Sequence, residues 1–178
     1  MKTLVTLLLF VVMTINTPSF SHAGEQNIET LITQKNNEME ALLSKRDPRE
    51  TIQFLHEQVK EGAVFNIEYR NEFMPENKAD SIQLDKKDYI NSFIQGTNLI
   101  DNYSVEITTQ QVAINNNRII AKEITQEEGT MLDPVTLDNG IPFVSKTTCI
   151  TEYVIENNQN LKTQNGHCIT ETGRSNTI

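Results

Sequence analysis

The chain has 178 residues, with 15 Lys and Arg against 24 Asp and Glu, a formal net charge of −9 and no Trp. An acidic chain without a Lys/Arg cluster repels phosphate backbones, which argues against nucleic acid as a partner. No segment beyond the N-terminus approaches the roughly 20 apolar residues that span a bilayer.

Residues 1–23 carry the three parts of a secretory signal: Lys2, an apolar run from Leu4 to Met13, and the small-x-small site Ser21-His22-Ala23. The expectation is an exported protein, periplasmic or extracellular, with its mature chain starting at Gly24 and no stable membrane anchor after cleavage. Residues 24–178 then fit a single domain long enough to bury a core.

The apolar positions Ile28, Leu31, Ile32, Met39, Leu42 and Leu43 fall on one helical face, interrupted by Lys35. Asp47-Pro48-Arg49-Glu50 supplies an N-cap acid, a Pro at the first helical position and an acid at the third, so a second helix starts there. Ile52, Leu55 and Val59 form its stripe, and Gly62 is its expected stop. Ala63 to Tyr69 alternates like a half-buried strand, Asn71 to Leu84 reads as loop, and Asp85 with Asp88 opens a third helix that Gly96 is expected to end.

From Ser104 the character is β. One hairpin runs from Ser104 through Asn115-Asn116-Asn117 to about Gln126, with a bulge near Thr109 to Gln111 where the apolar phase shifts. An irregular stretch from Gly129 to Pro142 leads to a second hairpin, Phe143 to Glu156 and Leu161 to Thr170. The tail from about residue 171 is expected to fray.

A turn centred between Asn158 and Gln159 sets Cys149 opposite Cys168. Opposed cysteines in an oxidising compartment bridge when they occupy a close, non-hydrogen-bonded pair. Two buried free thiols are the alternative; a metal site lacks further convergent ligands, and a redox site lacks C-x-x-C.

The order of helices followed by two long hairpins, together with Asp85-Lys86-Lys87-Asp88-Tyr89-Ile90-Asn91-Ser92-Phe93, Tyr103-Ser104-Val105-Glu106-Ile107 and Val154-Ile155-Glu156-Asn157-Asn158, resembles the NTF2-like (SnoaL-like) superfamily in pattern over about Ile28 to Thr170. The resemblance implies an α+β fold with N-terminal helices packed on a bent antiparallel sheet, cone-like in the NTF2/cystatin manner. It further implies a concave, mostly apolar pocket for a small hydrophobic or amphipathic ligand, and a homodimer through the convex face. The superfamily holds isomerases, cyclases, dehydratases, adaptors and noncatalytic binders, so fold does not fix function, and no catalytic residue is carried over.

The same hairpin pairing sets His167 opposite Ile150 and Asn165 opposite Glu152, so Glu152 and His167 lie diagonally on one face. They are either an acid/base pair or an exposed polar pair; Ile150, Val154, Leu161 and Ile169 on that face suggest core contact. Glu123 is a further acid/base candidate if it points inward, where burial would raise its pKa. Tyr69, Tyr89, Phe93 and Tyr103 are pocket candidates, the tyrosines because they join an apolar body to a polar tip. His56 borders the stripe of the second helix. Glu127, Glu128, Asp133, Asp138 and Asn139 lack the EF-hand spacing and read as solvated loop residues rather than a cation site. No metal or cofactor motif occurs. The leading expectation is a noncatalytic exported domain that binds a small molecule or a protein partner. The alternatives are a cofactor-free lyase or isomerase using an acid/base pair, and an assembly component of a cell-envelope machine.

Overall fold

A computed structural model describes residues 22–71, 80–115, 118–133, 140–156 and 160–174. Among these residues three helices, α1 (His22–Lys45), α2 (Pro48–Gln58) and α3 (Lys86–Asn98), pack on one six-stranded sheet. Its strands are β1 (Val59–Asn71), β2 (Asp80–Asp85), β3 (Ile100–Asn115), β4 (Arg118–Met131), β5 (Ile141–Glu156) and β6 (Asn160–Arg174), in spatial order β2-β1-β6-β5-β4-β3. This is the expected α+β architecture with one change. β1 and β6 pair in parallel, because the long connection through α3 and two hairpins brings β6 back alongside β1 in the same direction.

The helix starts follow their caps. Asp47 accepts hydrogen bonds from the Arg49 and Glu50 backbone N–H groups at 2.8 and 3.2 Å, and Asp85 accepts from the Asp88 N–H at 2.8 Å. The helix ends differ from the expectation. α2 stops at Gln58, and Gly62 lies inside β1 with φ +77°, where the register to β6 shifts between Val59 and Val64. The glycine relieves a strand irregularity rather than a helix end. α3 runs past Gly96 to Asn98.

β2 occupies part of the segment read as loop; its single buried residue, Leu84, is too little alternation to announce a strand. β6 continues to Arg174, which pairs with Phe143, so the end of the chain from residue 171 to 174 is ordered ladder rather than fray. Residues 1–21, where most of the signal expectation falls, lie outside the described set, as do Asp138 and Asn139. α1 already includes His22 and continues through Gly24.

Strand alternation divides the sheet into an inner face, covered by the helices, and an outer face. Ala63, Phe65 and Ile67 of β1, Ile119 and Ala121 of β4, Tyr153 of β5 and Cys168 of β6 are buried on the inner face. α1 contributes Ile28, Ile32, Met39 and Leu43 on one face, with the turn between Ile32 and Met39 taken by Lys35 and Asn36, and lies mainly over β3. The bulge expected near Thr109 to Gln111 is present: Thr109 pairs with Glu123 and Gln111 with Lys122, leaving Gln110 extra. Bulges also fall between Asp101 and Ser104, and at Glu152/Tyr153 in the β5–β6 ladder; each bends its strand.

Cys149 and Cys168 are directly paired and form a disulfide, with Cα atoms 4.1 Å apart, the spacing of a close non-hydrogen-bonded pair. It lies on the inner face among Val59, Phe65, Ile67 and Tyr89. Among the described residues, no helix is long and apolar enough to cross a membrane.

Candidate functional site

The apolar stripe of α1 is broken by Lys35 and Asn36, and the break has partners across the sheet. Glu123 of β4 is 7% exposed and Tyr153 of β5 is 2% exposed, both facing the helix. Tyr153 donates its hydroxyl to the Glu123 carboxylate at 2.9 Å, and Asn36 Nδ2 donates to Glu123 Oε1 at 2.9 Å and to Thr109 Oγ1 at 3.1 Å. The bulge at Gln110 keeps Thr109 and Glu123 on one face, so the contact depends on it.

Lys35 Nζ donates to Thr163 Oγ1 at 2.7 Å and to the Gln58 carbonyl, at the end of α2, at 3.5 Å, while lying 4.7 Å above the Tyr153 ring. Burial lowers its pKa to about 8, against the opposing pull of Glu123. The Tyr153 hydroxyl is pushed well above its ordinary value, first by burial and then by the charge of Glu123. Among the described residues, every fully buried side-chain polar atom has a hydrogen-bond partner.

A second polar group lies further along β4, toward the start of β3. Glu127, four residues beyond Glu123 and on the same face, accepts a 2.5 Å hydrogen bond from the Tyr103 hydroxyl. Burial raises the pKa of Glu127, opposed by that hydrogen bond, while burial and then Glu127 raise that of Tyr103. Neighbouring hydroxyls pair across the strands: Ser145 with Thr172 at 3.3 Å and Thr147 with Thr170 at 3.0 Å. Tyr89 of α3 stacks on Phe65 with ring centroids 3.8 Å apart and meets Phe93 edge-on at 5.8 Å. Burial, then Glu123, Glu127 and Tyr69, push its hydroxyl pKa upward. The Tyr89 hydroxyl makes no hydrogen bond among the described residues. On α1, Glu40 accepts from the Ile107 backbone N–H, holding the helix to β3.

Of the residues singled out in the sequence, Tyr89, Phe93 and Tyr103 pack against one apolar cluster that Met39, Leu43, Leu55 and Ile90 of the three helices form next to β3. Tyr69 is 39% exposed nearby, within electrostatic reach of Tyr89. Glu123 points inward. Glu152 pairs with Asn165 and Ile150 with His167, so Glu152 and His167 are diagonal neighbours as the hairpin arithmetic requires, but on the outer face, where Ile150 is 44% exposed rather than in the core. They line a shallow depression of about 330 Å³ with Val64, Asn66, Ile120 and Asn165. Glu152 is held there by Arg118 at 2.5 and 2.8 Å and by Asn165 at 3.1 Å, and the Arg118 hydrogen bonds lower its pKa. His56 is exposed on α2. Among the described residues, no three His, Cys, Asp or Glu side chains converge as a metal site would require.

Asn36 and Tyr153 draw no attention in the sequence, and Lys35 stands out there only as an interruption of the first apolar stripe. The available signal was two polar residues at core positions of an otherwise apolar helical stripe.

The sequence matches no protein-family model and no curated protein. Solved structures do match. An NTF2-like protein of unknown function from Silicibacter pomeroyi DSS-3 superposes with a TM-score of 0.50 over 81% of this chain and 96% of its own, at 6% identity. The fold is NTF2-like. A conserved protein from Planctomyces limnophilus DSM 3776 shares the NTF2-like arrangement at TM-score 0.57, 12% identity, 84% of this chain and 98% of that one. A hexachlorocyclohexane dehydrochlorinase (type 2) does so at TM-score 0.58, 9% identity, 89% and 95%. At these identities the likeness is one of fold, and the NTF2-like fold serves both binding and catalysis.

Proposed function

We propose that this is an exported NTF2-like domain that binds a small amphipathic molecule between α3 and the inner face of the sheet, without transforming it. The observation that carries the reading is Tyr89: its ring is stacked among aromatics, while its hydroxyl feels the charge of Glu123 and Glu127 and makes no hydrogen bond to a described residue. An apolar wall with a few convergent polar groups is the ordinary make-up of a ligand site. The signal-like N-terminus and the disulfide support export. The inner face is more polar than the resemblance implies, with Thr147, Thr170, Ser145 and Glu127 opposite the aromatic wall, which favours an amphipathic over a purely hydrophobic ligand.

Native mass spectrometry of the protein recovered from its own host tests this. A mass that is lost on denaturation, and whose retention falls in Tyr89→Ala, is the expected result. A protein that is always recovered empty and binds nothing from a metabolite extract would sink the reading.

A second reading, a cofactor-free lyase or isomerase, is favoured by Lys35. An amine with a pKa near 8 beside a carboxylate suits proton transfer. Glu152 suits it less, because Arg118 stabilises its ionised form. Conversion of the bound molecule that is abolished in a folded Lys35→Met variant would replace the binding reading with this one.

A further inference from the structure

The two inner carboxylates are neutralised unequally. Glu123 has Lys35 as its electrostatic partner and two neutral donors from Asn36 and Tyr153. Glu127 has one neutral donor, Tyr103, and no cation acts on it among the described residues. The nearby lysines of its own and the next strand, Lys122 and Lys146, sit at positions of opposite phase, paired with Ile150 and with Gln126 and Glu171, and so point to the outer face. The cross-strand neighbour of Glu127 is Ser145, whose hydroxyl is shared with Thr172. Its wider surroundings are aromatic: Tyr103 in contact, and Tyr89 within electrostatic reach with its hydroxyl unengaged among the described residues. Glu127 is part-exposed, so a ligand can reach it, and its single hydrogen bond comes from a neutral donor, which leaves its charge without an opposite one among the described residues.

We infer that the ligand supplies that charge: the site takes a small organic cation, an ammonium group on an apolar body, with the nitrogen against Glu127 and the body against Tyr89 and Phe93. Three features agree with this. Aromatic faces attract cations as well as apolar groups. The chain is acidic overall, so the field around it draws cations in. The same field and the two inner carboxylates repel an anionic ligand. The inference rests on the binding reading above and narrows its ligand class.

The test uses three probes of matched shape, phenethylammonium, phenethyl alcohol and phenylacetate, titrated calorimetrically into the full mature protein at physiological ionic strength, where surface charges are screened. The ammonium should bind about tenfold more tightly than the alcohol, the usual difference between a charged and a neutral hydrogen bond, and phenylacetate should bind most weakly. Glu127→Gln should bring the ammonium down to the level of the alcohol measured on the same variant. Glu127→Asp should keep the preference, and so should Glu152→Gln, which removes a charge from the other face. Equal binding of alcohol and ammonium would overturn the cation assignment while leaving the binding reading standing. A preference that survives Glu127→Gln, or that disappears in Glu152→Gln, would overturn it too. If none of the three binds, the cation assignment falls, while the binding reading is decided separately by native mass spectrometry.

Discussion

Glu123 on β4 and Glu152 on β5 belong to neighbouring strands of one sheet, yet one faces the helices and the other faces away. Glu152 meets Arg118, whose side chain is 64% exposed, in a bidentate pair that water and salt weaken. Glu123 meets Asn36, Tyr153 and, electrostatically, Lys35, with little water to share the load. The same functional group is a surface tie in one place and the keystone of a buried polar cluster in the other. What separates them is strand phase, and the difference should be visible in stability.

The largest effect is expected at Glu123. Glu123→Ala strips Lys35 of its counter-charge and leaves two buried donors unsatisfied, so it should cost about 3–5 kcal/mol in urea unfolding. A loss under 1 kcal/mol would mean the cluster relaxes onto water and the contrast with Glu152 is false. Next is the disulfide on the same face. Its 19-residue separation predicts that Cys149→Ala/Cys168→Ala loses about 3 kcal/mol, and addition of reductant to the parent protein should produce a comparable drop.

The third prediction concerns pH. Burial lowers the Lys35 pKa from 10.5 to about 8, so between those values the unfolded chain holds a proton that the folded one has released. Stability then rises with pH, and the Lys35 contribution should grow from about pH 8 to 10.5. Comparing the slope with that of Lys35→Met isolates it; identical slopes would show that the amine is not desolvated.

The smallest effect is expected outside. Arg118→Ala should shift the urea midpoint little, because water and salt screen the exposed guanidinium. Glu152 has its pKa depressed in the folded state, so this contribution is present above the unfolded carboxylate pKa, near 4.3, and should fade as pH drops through the lower folded value. A double-mutant cycle with Glu152→Gln measures it directly.

Much of this contrast was hidden in the sequence for a definite reason. Caps, the bulge at Gln110 and the opposition of the two cysteines are local or arithmetical, and they were legible. Which face of β5 and β6 meets the helices is not, because isoleucines occur on both: Ile119 is buried while Ile120 and Ile150 are exposed. Alternation alone gave Glu152 a claim on the interior that belongs to Glu123. The hairpin pairing nevertheless held at Glu152/Asn165, because a bulge at Gln164 compensates a turn centred one half-residue earlier, with Tyr153 facing Thr163. Lys35 and Asn36 looked like flaws in a helix stripe, since their meaning depends on residues far along the chain. β2 stayed hidden because an edge strand with one buried side chain has almost no pattern to read.

That distance has a kinetic consequence. The hydrogen bonds from α1 into the sheet span 73 residues to Thr109, 87 to Glu123 and 128 to Thr163. Contacts of such separation are entropically expensive to close early, and chains dominated by them fold in milliseconds to seconds rather than microseconds. During synthesis α1 emerges before all three partners, and Lys35 has no Thr163 to meet until β6 has been made. The Lys35–Thr163 contact therefore cannot form until the last strand is present, and until then the Lys35 amine is left in water.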